Sequence, residues 1–375
     1  MDGSRQDVCE RANPLAQSLR RGPKIESPSH ILPTVDVVIP CYRYGRFLRE
    51  CVLSVLTQEG VNVRVLIIDD ASSDGSADIA NHLASENSGI EVLVHQANRG
   101  HIATYNEGIE WAGNKYFLLL SADDLITPGC LWRAISIMEQ HPSISMTHGN
   151  EINLLPDGEV PDLAGQGCDG QWTVRPGLEL IKELCHSAVN RIRTSTVVVR
   201  TDAQKAVGGY RQQLPHAGDL EMWLRLASVG EVAETPLVQG IRRIHGVNMS
   251  TKEFGHPIAD LRQLARAFDT FFRNEGQRLS NCHQLRRLSR SRLAERFLSK
   301  GVDQLWNSGP LRGFAVISAA VWYSPSILLS KSTSLKVAKA LIASSAVRMR
   351  NFLVRAASTI LFQTPGSGSG LRRSK

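Results

Sequence analysis

From Val35 onward the chain alternates between two hydrophobic periods. Val35-Asp36-Val37-Val38-Ile39-Pro40 is a short apolar run closed by proline, the pattern of a strand buried in a parallel sheet. Phe47 to Leu56 then places Leu48, Cys51, Val52, Val55 and Leu56 at helical intervals. The same pair recurs: Arg64 to Asp70, with Val65-Leu66-Ile67-Ile68 inside it, reads as a strand and Ser76 to Leu83 as a helix. Ile90 to Val94 (strand), Thr104 to Trp111 (helix) and Tyr116 to Leu120 (strand) continue it. Pro128 opens a helix to Glu139, and Ile144 to Thr147 is a weaker fifth strand. The alternation predicts an α/β fold, a mostly parallel sheet with helices on both faces, followed by a helical C-terminal region. Ligands of such sheets bind at the carboxyl ends of the strands, so the residues just after each strand matter most.

Composition divides the chain further. Residues 1–33 are rich in Ser, Arg, Pro and Gly without apolar period, which predicts a flexible leader and no secretory signal. The α/β region is 34–255, split into halves 34–150 and 151–255; 256–332 is a helical region and 333–375 a basic amphipathic tail. No run is long and apolar enough to span a membrane: Gly313 to Leu329 is interrupted by Ser318, Ser324, Pro325 and Ser326. The 7 cysteines are scattered without a Cys-x-x-Cys pair, against a disulfide framework or zinc cage. Residues 256–375 hold 20 Lys and Arg against 5 Asp and Glu, whereas residues 1–255 hold 23 against 31. This asymmetry points to an anionic partner. Leu335 to Phe362, drawn as a helix, sets a broad apolar face between flanking cations, the form of a helix lying on an acidic membrane surface; packing on protein is the alternative. No nucleic-acid-binding module accompanies the charge, so nucleic acid is not expected.

Two carboxylate pairs follow strands. Asp69-Asp70 precedes Ala71-Ser72-Ser73-Asp74-Gly75-Ser76, where one carboxylate suits a ribose or base edge and Ser73 or Asp74 caps the next helix. Ser121-Ala122-Asp123-Asp124 follows the fourth strand. A carboxylate pair there offers hard oxygen ligands to Mg²⁺ or Mn²⁺ shared with phosphates, with helix capping by Asp124 as the plainer use.

Together these segments resemble family 2 glycosyltransferases. The likeness takes in Val-Val-Ile-Pro-Cys-Tyr, Ile-Ile-Asp-Asp-Ala-Ser-Ser-Asp-Gly-Ser, Asn98-Arg99-Gly100, Asn106-Glu107-Gly108 and Ser-Ala-Asp-Asp. It continues through Gly208-Gly209-Tyr210, Gly218 to Arg225 and Arg243 to Ser250, in the family's order over about residues 34–250. The resemblance implies a GT-A-type fold and inverting transfer from a nucleotide-diphosphate sugar donor to a glycan or lipid-linked acceptor. It puts Pro40, Tyr42, Asp70, Asn98 and Asn106 on the donor, Asp123 on donor and metal, and His245 on the metal or diphosphate. Asp219 falls in the place of the catalytic base. It further implies bacterial surface polysaccharide or lipopolysaccharide assembly, in the cytoplasm or peripherally on the inner face of the cell membrane. Ser121 stands where the family's metal motif often begins with Asp, and Tyr105 where many members carry Arg. A nucleotidyltransferase would need a glycine-rich basic loop after the first strand, where only Arg43 is offered. A glycoside hydrolase needs no nucleotide pocket. A catalytically inactive scaffold subunit is the reading from another class.

Overall fold

The computed structural model describes residues 32–156, 158, 163, 171–248, 257–307, 310–325 and 327. The leader up to residue 31, most of 157–170, and the basic tail from 328 with its expected helix lie outside the described residues. The chain divides into two compact units between Ser289 and Arg290.

The first unit is built on one nine-stranded mixed sheet. Its parallel part is β1 (Thr34–Cys41), β2 (Asn62–Asp69), β3 (Ile90–Val94) and β4 (Tyr116–Leu119), in the order β3-β2-β1-β4. β1 and β2 pair without a register break from Thr34↔Asn62 to Cys41↔Asp69, so both strands end at one sheet edge. Val37, Val38, Ile39, Val65, Ile67 and Ile68 are fully buried or nearly so, because both faces are covered; this is why these strands read as continuous apolar runs. α1 (Gly45–Leu56) buries Leu48, Cys51, Val52 and Val55, the helical stripe expected. α2 (Ser76–Glu86), α3 (His101–Trp111) and α4 (Cys130–Gln140) complete this half. Asp74 serves two helices: one oxygen accepts the Ser76 N–H at 3.2 Å, the other the Gly45 N–H at 3.2 Å.

At the opposite end of β1, buried Asp36 accepts from Arg64 Nε (2.8 Å), the Gly113 and Asn114 N–H groups (2.7 Å each) and Asn114 Nδ2 (2.6 Å). Burial alone would raise its pKa; these donors outweigh it and hold the carboxyl below its ordinary value.

The other half departs from the sequence reading. α4 opens at Cys130 rather than at Pro128, because β5 (Leu125–Ile126) and a left-handed Gly129 at φ 71° come first. The weak fifth strand is β6 (Ile144–Leu154), eleven residues long. Its second half carries polar, partly exposed residues and register shifts against β9 (Glu231–Arg243), which removed the apolar run that marks a strand. β7 (Thr173–Pro176), α5 (Gly177–Ser187), β8 (Val198–Arg200), α6 (Thr201–Val207) and α7 (Gly218–Ala227) fill the rest. The sheet runs on as β4-β8-β6-β9-β5, with β7 on β9; β8 is antiparallel to both β4 and β6.

α8 (Pro257–Arg273) packs on α7 and buries Leu261, Leu264, Phe268 and Phe271, as their helical spacing predicts. α9 (Cys282–Asn307) crosses the division between the units, and α10 (Pro310–Tyr323) belongs to the second. Among the described residues no helix is long and apolar enough to cross a membrane.

Candidate active site

A cleft of about 700 Å³ opens at the edge where β1, β2 and β4 end. It gathers most of the expected residues: Pro40, Tyr42, Asp70, Asn98, Asp123 and Asp219 all line it. The turns after β1 and β2 each contain a non-glycine residue in the left-handed region, Arg43 at φ 60° and Ala71 at φ 58°. Each such turn costs on the order of 1–3 kcal/mol. The Arg43 N–H donates to Ser72 Oγ at 2.9 Å, so the two strained turns brace one another.

Asp70 is wrapped in donors. Its Oδ1 accepts the Arg99 N–H at 2.7 Å and contacts His95 Nδ1 at 2.7 Å; its Oδ2 accepts the Gly100 N–H at 2.9 Å. Asn98 Nδ2 donates to the Asp70 carbonyl at 3.2 Å. Behind it, His95 Nε2 meets Glu107 Oε2 at 2.7 Å, and Arg99 donates to the same oxygen at 3.0 Å. The Asn98-Arg99-Gly100 motif is thus the loop that Asp70 folds around its own carboxylate at the start of α3.

Asp123 sits where β9 returns to the cleft. Ser121 Oγ donates to its Oδ1 at 2.5 Å; Asn248 Nδ2 donates to its Oδ2 at 3.2 Å, and His245 Nε2 lies 3.1 Å from the same oxygen. The Val247 N–H points at His245 Nδ1 (3.3 Å), which makes Nδ1 the acceptor and puts the ring proton on Nε2, facing Asp123. Phe47 stacks on the His245 ring at 4.7 Å and Tyr44 meets it edge-on at 5.4 Å, so the imidazole is fixed just behind the cleft surface. Ser121 therefore occupies the missing carboxylate's place as a hydroxyl that orients Asp123. Asp124 also lines the cleft, and its Oδ1 accepts the Arg243 N–H at 3.2 Å. Burial, then the neighbouring charges of Asp123 and Glu151, push its carboxyl well above the ordinary value.

An oxygen and a nitrogen donor thus converge within 3.1 Å on one side of the cleft. Among the described residues no group of three or more His, Cys, Asp or Glu forms a metal-holding set. This donor set fits a divalent cation that completes its shell with phosphate and water oxygens, not one held in an all-protein cage.

Asp219 lies in the first turn of α7, partly buried. Its Oδ2 accepts the Thr194 hydroxyl at 2.9 Å, and the Tyr210 phenol is its other hydrogen-bond partner. Burial raises its pKa above the ordinary carboxylate value, against those two bonds and the nearby His101 and His216. Tyr210 is placed from behind. Arg225, itself buried, pairs with Glu221 (2.9 Å) and donates to the carbonyls of Val207 (2.5 Å), Gly208 (3.3 Å) and Gly209 (2.9 Å).

Asn106, expected on the donor, is not among the residues that line the cleft. Its Oδ1 accepts the Tyr210 N–H at 2.6 Å and its Nδ2 donates to the Tyr210 carbonyl at 2.9 Å. A Cβ on Gly209 would stand 2.4 Å from that Oδ1, so the glycine is required for the contact. Both functions of the amide are spent on backbone. Tyr105, in place of an arginine, packs edge-on against Tyr210 at 5.3 Å and His101 at 5.4 Å.

Several cleft residues escaped the sequence reading: Thr194, Glu151 and Ser195, whose hydroxyl donates to Glu151 Oε2 at 2.7 Å. No local signal marks them, since Glu151 is on the polar end of β6 and the others precede the three-residue β8. Asn248 stood inside the quoted Arg243-to-Ser250 segment, and its three-residue spacing from His245 was the available clue.

Residues 36–160 match the family model described as "Glycosyl transferase family 2". That segment is a family 2 glycosyltransferase domain. Over 229 residues the chain is 25% identical to the hyaluronan synthase of Pasteurella multocida, a match that takes in 60% of this chain and 22% of the synthase. The chain therefore spans less than a quarter of that relative. Among solved structures, S. aureus TarS (residues 1–349, in complex with UDP-GlcNAc) superimposes with a TM-score of 0.60 at 14% identity, covering 85% of this chain and 92% of that one. The mannosyltransferase PcManGT of Pyrobaculum calidifontis, solved with GDP-Man and Mn²⁺, gives 0.52 at 14% identity, covering 88% and 91%. These likenesses extend the shared fold beyond the matched domain, through the half that carries Asp219 and His245.

Proposed function

We propose that the chain is an inverting hexosyltransferase that moves a sugar from a nucleotide-diphosphate sugar to an acceptor hydroxyl, in bacterial surface polysaccharide or lipopolysaccharide assembly. The observation that carries the reading is the convergence of Asp70, Asp123 and Asp219, from three distant parts of the chain, on one cleft. The solved relatives' nucleotide-sugar ligands and the kinship to a polysaccharide synthase support the donor and acceptor classes.

Pro40, Tyr42 and Asn98 receive the nucleoside, with Asp70 shaping the loop between them. Asp219 takes the proton of the attacking hydroxyl. Its raised pKa keeps it basic enough for that task, and partial burial keeps competing water away. The acceptor oxygen bonds the anomeric carbon as the bond to the diphosphate breaks, and a single displacement inverts that carbon. Asp123 and His245 would hold Mg²⁺ or Mn²⁺, which when bound supplies positive charge to the departing diphosphate. As a ligand through Nε2, neutral His245 would carry its ring proton on Nδ1 in place of the Val247 contact, with Phe47 and Tyr44 keeping the ring aimed.

Incubation with UDP- and GDP-sugars plus Mn²⁺ tests this, read as nucleoside diphosphate released and sugar transferred. Transfer is expected with one donor and should be lost in EDTA and in Asp123→Asn. Calorimetry with the matching nucleoside diphosphate should lose most of its heat under the same two conditions. Equal heat in all three overturns the metal assignment, and no transfer with any donor overturns the enzyme.

A further inference from the structure

The second unit holds a surface that the transfer reading does not use. From Arg290 to the last residue there are 14 Lys and Arg against 2 Asp and Glu. The two acids, Glu295 and Asp303, already face Arg292 (2.9 Å) and Lys300 (3.7 Å). Within this unit α10 contains eleven consecutive residues, Gly313 to Tyr323, with no charge among them. Its lone serine is neutralised internally: Ser318 Oγ donates to the Phe314 carbonyl at 2.9 Å.

A helix apolar on every side is normally covered on every side. α10 is covered on one only. Val316 and Ala320 are buried, whereas Phe314 is 49% and Trp322 67% exposed. Phe314, Ser318 and Trp322 follow one another at four-residue spacing and form a single outward stripe. The Arg290 guanidinium lies 5.7 Å from the Trp322 ring, setting a cation beside the exposed indole.

We propose that this stripe of α10 docks on an anionic lipid surface. The charge of the unit selects the occupant: a net excess of twelve cations disfavours a basic partner and a second copy of the same unit, and favours acidic headgroups. Indole and phenyl rings beside an arginine are the groups that settle at the boundary between headgroup and acyl chain. At 14 residues the helix is roughly 21 Å long, too short to span the hydrocarbon layer, so it lies in the plane of the interface. This places the apolar contact on α10, with the basic residues that follow it adding long-range attraction, whereas the sequence alone had assigned that contact to 335–362. The proposal stands whether or not the cleft transfers sugar.

Co-sedimentation of the full-length protein with phosphatidylglycerol–phosphatidylcholine vesicles, against pure phosphatidylcholine, is the test. The intact protein is expected to pellet with the acidic vesicles only, and less in high salt. Phe314→Ala combined with Trp322→Ala should weaken binding by about tenfold or more, since each ring withdraws its apolar area from water. Trp322→Phe should still bind, but without the blue shift in tryptophan emission expected of wild type on vesicles. An unchanged melting temperature and nucleoside diphosphate affinity would certify the variants as folded. Wild-type binding by the double variant overturns the proposal. So does equal binding to neutral vesicles, displacement of the vesicles by RNA, or a dimer in light scattering that Trp322→Ala splits while no vesicle is bound.

Discussion

Asp70 and Asp219 line the same cleft, and the fold treats them in opposite ways. Asp70 receives two backbone N–H groups, which cannot rotate away, and a histidine ring that is itself clamped by Glu107. Asp219 receives only the hydroxyls of Thr194 and Tyr210, and burial disfavours its charge. A carboxylate that must hold a loop in shape through every turnover is saturated with fixed donors. One that must pick up a proton keeps lone pairs free and is made more basic by its surroundings.

Asp219→Asn is the largest expected effect and the most direct way to break this contrast. Turnover should fall by roughly 10²- to 10⁴-fold, with nucleoside diphosphate affinity by calorimetry unaltered. Stability should move the other way. A carboxyl whose folded-state pKa is raised adds stability below its unfolded value and loses it as pH climbs through the folded one. The uncharged amide should therefore melt above wild type at neutral pH. Active, less stable Asp219→Asn protein would place the base elsewhere.

His95→Ala sharpens the other side. Removing the ring leaves the Asp70 and Glu107 carboxylates each short of a partner, worth about 1–2 kcal/mol, or about a tenfold rise in donor KM. Steady-state kinetics should show that rise with kcat nearly constant; a fall in kcat at constant KM would mean that Asp70 takes part in the chemistry. The smallest effect is expected from Tyr210→Phe. The phenol holds the Asp219 pKa down, so its loss should move the acid limb of the kcat–pH profile to higher pH. A limb that stays or moves down would show that the phenol does not act on the base.

The parallel half of the fold was legible because β1, β2 and β4 are buried on both faces, so hydrophobicity alone outlines them. β6 was half legible: Ile144 to Thr147 are buried, but Asn150, Glu151 and Asn153 lie on a partly exposed, irregular stretch. In the site, Asp70 and Asp123 could be found because each follows a strand. Asp219 became legible only through the family likeness, as its partners Thr194 and Tyr210 lie 25 and 9 residues away with no pattern joining them. Asn106 lies outside the cleft lining for a reason no spacing could show: its amide bonds the backbone of Tyr210, 104 residues along the chain.

Arg225 separates what can be altered in this molecule from what cannot. Its guanidinium fixes three successive carbonyls and Glu221 from outside the cleft wall, so the position of Tyr210, and through it that of Asp219, is set by residues that do not line the cleft. Asn190 and Arg193 do line it, from the irregular stretch ahead of β8, and neither takes part in that mould. A combinatorial library over Asn190 and Arg193 would therefore search for new acceptors on an unchanged catalytic frame. Arg225→Lys, with one ammonium where a planar fork is needed, would collapse the frame without touching a single contact in the cleft.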